Sequence, residues 1–112
     1  MTELIKVVVS RVEDPQARRL SPTIEVIENS TDGIHTVISG LYSAIPFPGM
    51  RNVFLFYDDI GKIKKLAPNI FIPFDFIAGD LLVAGADGED LIDLTEEQVK
   101  EIVAYINYHR VM

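Results

Sequence analysis

Cysteine is absent from the 112 residues, which excludes disulfide bonds, thiolate catalysis and cysteine-based zinc or iron–sulfur sites. No window reaches the roughly 18 apolar residues that a membrane-spanning helix needs. The N-terminal residues place the acid Glu3 before the first base, Lys6, which is not the pattern of a signal peptide. We therefore expect a cytoplasmic protein with no membrane partner.

Residues that carry chemistry are also scarce. The two histidines, His35 and His109, have no local partner at a metal-ligand or general-base spacing. The acids between residues 87 and 93 do not follow the EF-hand pattern, and no glycine-rich phosphate loop or nucleophile elbow occurs. The sequence therefore predicts no catalytic residue, no cofactor and no metal ion.

The composition is that of an ordinary globular protein, with 48% hydrophobic and 24% charged residues. The length predicts a single domain over residues 1–112. The net charge of −7 is uneven, because residues 71–112 hold two bases and nine acids. An acidic surface disfavours nonspecific nucleic-acid binding, so we expect no nucleic-acid partner and favour a protein partner.

Apolar residues that alternate or follow one another predict five strands: Leu4–Val12, Pro22–Ile27, Leu41–Ile45, Val53–Tyr57 and Asp80–Ala84. The first two are expected to pair antiparallel. The last has no alternation, which is typical of a strand buried on both faces. Residues Ile63–Leu66 are a candidate return strand. Residues Ala67–Phe76 contain two prolines and three phenylalanines, and we expect a loop folded back over the core.

Two segments have helical signals, and the first is short. Capping residues at 29–32 precede an apolar stripe of Ile34, Val37 and Ile38. This pattern predicts a helix of two to three turns that ends at Gly40. Gly33 in its first turn weakens the helical preference.

The second helix has the strongest entry signal in the chain. Thr95 and Gln98 have the spacing of a capping box, and Leu94 with Val99 that of a hydrophobic staple. An apolar stripe follows at Val99, Ile102, Val103 and Ile106. Because strands precede, separate and follow only two helices, the expected fold is α+β, with a mostly antiparallel sheet of about five to six strands and two helices packed on it.

Four segments together resemble a known family: Gly40-Leu41-Tyr42-Ser43-Ala44-Ile45, Asp59-Ile60-Gly61-Lys62 with Leu66-Ala67-Pro68-Asn69, Ile77-Ala78-Gly79-Asp80, and Leu94-Thr95. Their order and spacing are similar to those of the domain-of-unknown-function family numbered three-eight-four-six. That family occurs in bacteria, archaea, phages and mobile elements. The chain departs from its usual pattern at Asp59-Ile60 and in the apolar segment Ile70–Phe76. The resemblance implies a small cytoplasmic accessory protein and no reaction.

The favoured hypothesis is a noncatalytic protein-interaction module of a bacterium, phage or mobile element. Its candidate interaction surface combines an apolar segment with an acidic helix: Phe71, Phe74, Phe76, Glu96, Glu97 and Glu101. If two or more of the phenylalanines are exposed, they mark an interface. The partner is expected to be another protein, and a homo-oligomer also fits.

Two alternatives stay open. One is an acidic inhibitor that imitates nucleic acid, which requires carboxylates spaced along one exposed surface. The other is an enzyme or ligand-binding protein whose site is assembled from distant residues such as Tyr42, Asp58, Asp80 and His35. The second alternative predicts a concave pocket in which at least two of these residues meet.

Overall fold

The computed structural model describes residues 3–12, 21–88 and 90–111. These residues form an antiparallel sheet of six strands, a separate β-hairpin and two helices, so the predicted α+β fold is confirmed. The strands are β1 Leu4–Ser10, β2 Thr23–Glu28, β3 Tyr42–Pro46, β4 Val53–Asp58, β5 Pro68–Ile72, β6 Asp75–Ala78, β7 Leu81–Asp87 and β8 Asp90–Ile92. The helices are α1 Thr31–His35 and α2 Glu96–Tyr108. Neither is long and apolar enough to cross a membrane.

The buried strand predicted around residues 80–84 is the middle of the sheet. The strand order is β2-β1-β7-β4-β3, and β8 pairs with the end of β7. Six of the seven residues of β7 are buried, because β1 and β4 flank it and both of its faces are covered. The predicted antiparallel pairing of the first two strands is also confirmed, with Val8 opposite Ile24 and Lys6 opposite Val26.

The two faces of the sheet carry separate cores. Alternate residues of β1 divide between them: Val8 packs on one side, and Ile5, Val7 and Val9 pack on the other. On the Val8 side, α2 and the hairpin β5–β6 cover the sheet. On the opposite side the cover is α1 with the turn that follows it, through Ile34 and Ile38. The hairpin and the two helices thus lie against a shared sheet.

The capping box predicted for α2 is present. The Thr95 hydroxyl accepts from the backbone N–H of Gln98 at 3.1 Å, and the Thr95 N–H donates to the Gln98 side chain at 2.9 Å. Val99, Ile102 and Ile106 are the buried residues of the helix, as the apolar spacing predicts.

Helix α1 is shorter than predicted. It spans five residues rather than two to three turns, and it ends before Gly40. The reason is a change of hydrogen-bonding pattern: the N–H groups of Thr36 and Val37 donate to the carbonyls three residues back, and the Thr36 hydroxyl donates to the Gly33 carbonyl. Such i→i+3 bonds close a helix instead of continuing it.

Two predictions between residues 63 and 76 are wrong. Residues Ile63–Leu66 form turns rather than a return strand, because Leu66 N–H bonds back to Gly61 and leaves Ile63 79% exposed. Residues 67–76 are mostly strand, forming the hairpin β5–β6 rather than a loop. Its prolines are compatible with that structure because Pro68 begins β5 and Pro73 lies in the turn. The short strand β8 was not predicted.

Candidate functional site

The hairpin β5–β6 holds the three candidate phenylalanines in different positions. Ile70 and Ile77 form a cross-strand pair that faces the core and is buried. The adjacent pair, Phe71 with Phe76, must point the opposite way, because successive residues of a strand alternate between its faces. Phe71 is 51% exposed and Phe76 is half-buried.

Phe74 occupies the turn that joins the two strands. Ile72 and Asp75 are directly paired, so Pro73 and Phe74 are the two turn residues. The φ angle of Phe74 is 67°, in the left-handed region, and its side chain is fully exposed. A proline followed by a residue with positive φ is the type II pattern, in which glycine is preferred at the second position. Neither turn geometry nor burial accounts for a phenylalanine there.

The end of α2 lies beside the hairpin and adds an aromatic residue that the sequence analysis missed. The N–H of Phe71 donates to the carbonyl of His109 at 2.8 Å, and Ile70 forms a β-bridge with Arg110. Tyr108 is 85% exposed next to this junction. In the sequence, Tyr108 lies outside the apolar stripe of α2, and this is the only signal that could have indicated that its side chain is exposed. We call Phe71, Phe74, Phe76 and Tyr108 the hairpin surface.

Charged groups border the hairpin surface. The ammonium of Lys62 lies 4.6 Å from the centre of the Phe76 ring and forms an ion pair with Asp75. The hydrogen bond from Lys62 lowers the pKa of the Asp75 carboxyl, with help from the backbone N–H of Phe76. Both charges are half exposed, so they form a polar rim and contribute little to stability.

Inside the surface, aromatic rings join the end of α2 to the core. Tyr105 stacks on His109 with ring centres 3.7 Å apart and meets the buried Phe47 edge to face at 5.0 Å. Partial burial raises the pKa of the Tyr105 hydroxyl. The His109 ring is therefore held between packed residues and is not aimed at any carboxylate among the described residues.

A buried polar network fastens the hairpin to the sheet. Asn69, which is fully buried, donates from Nδ2 to the carbonyls of Ser10 at 2.8 Å and Gly79 at 2.9 Å. The Ser10 hydroxyl donates to Asn69 Oδ1 at 2.9 Å. The guanidinium of Arg110 donates to the Ser10 hydroxyl at 2.6 Å and also to Asn69 Oδ1. The network joins β1, β5 and the residues after α2, so it holds the hairpin surface in one position.

The acidic candidates lie on helix α2, a different element from the hairpin that carries the phenylalanines. Glu96, Glu97 and Glu101 are exposed on α2, but the first two lie in its opening turn. Eleven residues separate Glu97 from Tyr108, or roughly 17 Å along the helix axis. The six candidate residues therefore belong to two elements, the hairpin β5–β6 and helix α2.

The residues of the distant-site alternative meet in pairs. Asp58 and Asp80 line one cavity of about 150 Å³. Asp58 is buried and bonded to Lys64 Nζ at 2.8 Å, and Asp80 accepts from the N–H of Val12 at 3.0 Å. The other pair is His35 and Tyr42, whose rings pack at 5.5 Å.

Asp58 and Asp80 thus meet in one pocket, as this alternative predicts, but neither pair joins a histidine to a carboxylate. A larger cavity of about 380 Å³ lies between the turn after β4 and the hairpin, and Asp58 lines it as well. No group of three histidine, aspartate or glutamate side chains in the described ranges is arranged to hold a metal ion.

Comparison with known families gives a match over residues 5–107, to the family described as Domain of unknown function (DUF3846). The protein belongs to the DUF3846 family. The resemblance expected from the sequence is confirmed, and it names no reaction. Neither the curated proteins nor the solved structures contain a match.

Two of the four segments behind the resemblance, residues 59–69 and 77–80, meet beside the hairpin of this DUF3846 protein. Asn69 bonds to Gly79, and a Cβ added to Gly79 would lie 2.7 Å from the Leu66 side chain. A Cβ added to Gly61 would lie 2.7 Å from the carbonyl oxygen of Ala78. In this chain, Gly61 and Gly79 therefore allow close packing beside the hairpin.

Proposed function

We propose that this DUF3846 protein is a small noncatalytic accessory protein that binds a partner protein through the hairpin surface. The observation that carries the proposal is Phe74, which is fully exposed at a φ of 67°. A left-handed conformation costs a residue with a Cβ about 1–2 kcal/mol. Leaving a phenylalanine in water also forgoes the roughly 1.5–3 kcal/mol that its burial supplies. A partner protein that covers the Phe74 ring would explain why the chain keeps a phenylalanine whose backbone conformation and exposure destabilise the unbound protein.

The other aromatic residues of the hairpin surface support the same role. Phe71 and Tyr108 are at least half exposed, and aromatic residues are enriched at the centres of protein interfaces. Lys62 and Asp75 supply the polar rim that such interfaces have. Because the Asn69 network holds the hairpin in place, binding would require little ordering of the surface.

The test replaces Phe74 with glycine. We expect the Phe74→Gly variant to be more stable than the wild type by about 1 kcal/mol in urea unfolding, because glycine relieves the positive φ. We expect its affinity for the partner to fall by about 30-fold or more, the loss typical of a central aromatic contact.

The partner is first identified with a photo-crosslinking amino acid at position 74 of the full chain in cells, and then purified for calorimetric titration. The matched control is position 41, because Leu41 is 76% exposed and lies outside the hairpin. The proposal requires crosslinking from position 74 but not from 41, and a loss of affinity for Phe74→Gly but not for Leu41→Ala. A purified partner that binds Phe74→Gly as tightly as the wild type would contradict it.

The nucleic-acid-mimic alternative ranks behind this proposal. It needs one surface of regularly spaced carboxylates. Asp80 and Asp87 lie at opposite ends of β7, which at seven residues is roughly 23 Å long. The support for this alternative is the acidic composition of residues 71–112, because the order of the elements does not place their carboxylates on a common surface.

A further inference from the structure

Strand β2 is the longest edge strand of the large sheet, and apart from its two glutamates the described residues give it none of the usual protection. Among the described residues only β1 pairs with it, over six consecutive positions without a bulge. Its sequence, Thr23–Glu28, contains no proline, glycine or lysine. The opposite edge, β3, is shorter and ends in Pro46. Natural edge strands are normally shortened, bulged or marked with lysine or proline, because their free backbone groups accept another strand.

The side chains of β2 are also unusual for a solvent-exposed edge. Ile24 and Val26 are 57% and 62% exposed. They pair with Val8 and Lys6 of β1, so they point to the face that carries α2. Glu25 points to the other face, where the guanidinium of Arg11 binds its carboxylate with one N–O distance of 3.0 Å. The α2 face of β2 is thus apolar and β-branched at two successive positions, which suits pairing with another strand.

We propose that β2 of a second copy of this chain pairs antiparallel with this edge, about a two-fold axis that passes through Val26. The two six-stranded sheets then form one continuous sheet. A two-fold axis perpendicular to the sheet leaves every side chain on its own face of the sheet. Residues that oppose each other across the axis must share a face, so their sequence numbers differ by an even number. Val26 meets Val26 of the second copy, Ile24 meets Glu28, and Glu25 meets Ile27.

The charges of β2 choose between the two axis positions nearest its middle, Glu25 and Val26, and favour a second copy as the occupant. A shift that puts Glu25 on the axis would oppose two carboxylates directly, which destabilises a strand pair. With Val26 on the axis no acid faces another acid. The strand is therefore complementary to itself, as a two-fold interface requires.

The first experiment measures mass by sedimentation velocity over a range of concentrations of the full chain. We expect the wild type to reach twice the monomer mass as concentration rises. Val26→Lys would place two ammonium groups opposite each other and should weaken dimerisation about 100-fold. The control Leu41→Lys likewise replaces an apolar side chain with lysine at an exposed position outside the strands, and it should dimerise as the wild type does. A wild type that stays monomeric throughout would overturn the proposal.

The second experiment locates the axis. Because the chain has no cysteine, Val26→Cys and Ile24→Cys each introduce one thiol. Val26→Cys should form a disulfide-linked dimer on mild oxidation, since opposed Cα atoms lie about 5 Å apart. In the proposed register the two copies of residue 24 are roughly 14 Å apart, too far for a disulfide. Equal crosslinking of both variants, or none from Val26→Cys, would overturn the proposal even if the wild type dimerises.

Salt provides an independent readout. Each copy carries a net charge of −7, so the two copies repel each other. Dimerisation through the largely apolar β2 edge should therefore strengthen as added salt screens this repulsion. Dimerisation that weakens with salt would indicate contact between oppositely charged surfaces and would contradict the β2 interface.

Discussion

At the scale of single residues, Gly33 shows how a long-range contact can reverse a local preference. Glycine in the first turn of a helix is unfavourable by itself, by about 1 kcal/mol relative to alanine. In the structure, however, a Cβ at this position would lie 1.9 Å from the carbonyl oxygen of Glu28 in β2. The close approach of α1 to the end of β2 therefore requires glycine.

Replacing Gly33 with alanine is expected to destabilise the protein by about 1–3 kcal/mol, because backbone must move to admit the methyl group. Helix propensity alone predicts that Gly33→Ala stabilises the protein. Urea unfolding at a fixed protein concentration measures the change, with Ser39→Ala at an exposed site as the control. A Gly33→Ala variant as stable as the wild type would show that α1 and β2 are not in this contact.

At the scale of elements, the two helices differ in how far interactions between residues close in sequence stabilise them. Helix α2 has a complete capping box and three buried residues at helical spacing. Helix α1 has a serine cap, Ser30, which accepts from the N–H of Gly33 at 3.1 Å, but only five residues. A helix that short is not stable alone, so α1 depends on packing through Ile34.

Thr95→Ala should cost about 1 kcal/mol, because it removes the acceptor for the N–H of Gln98. Thr95→Ser should keep most of that stability. The matched control is Glu101→Ala, an exposed position in the middle of α2, for which a change within about 0.5 kcal/mol is expected. Equal stabilities of Thr95→Ala and Glu101→Ala in urea would contradict a functional cap.

At the scale of the whole molecule, the Asn69 network joins parts of the chain that are distant in sequence. Ser10 and Arg110 are 100 residues apart, yet they share a hydrogen bond at 2.6 Å. The carbonyl of Asn69 also accepts from the N–H of Val111 at 3.0 Å. The network therefore sets where the hairpin and the residues after α2 lie relative to the sheet.

Asn69→Ala is expected to destabilise the protein by about 2–4 kcal/mol, because the carbonyls of Ser10 and Gly79 lose their side-chain donor in a buried site. Asn107→Ala, at an exposed position of α2, is the control and should be close to neutral. The thermal midpoint and urea unfolding measure both variants. A small effect at position 69 would mean that the network does not hold the hairpin.

Much of the fold could be predicted because its signals are local. The uninterrupted apolar run of β7, the alternation in β1 and the capping box of α2 each depend on residues close in sequence. The hairpin β5–β6 could not be predicted in this way, because its prolines argue against a strand until their positions at a strand start and in a turn are known. The candidate site was named only in part. Phe71, Phe74 and Phe76 were identified by type, but Tyr108 was not.

The sequence by itself determined the α+β class, the buried middle strand, the entry of α2 and the absence of cysteine chemistry, because each follows from composition or short-range spacing. Only the tertiary structure decided that Phe71 and Phe74 face water while Ile70 and Ile77 face the core. It also decided that β1 is the only described strand that pairs with β2. These features depend on strand order and register, which are set by contacts between residues far apart in the chain.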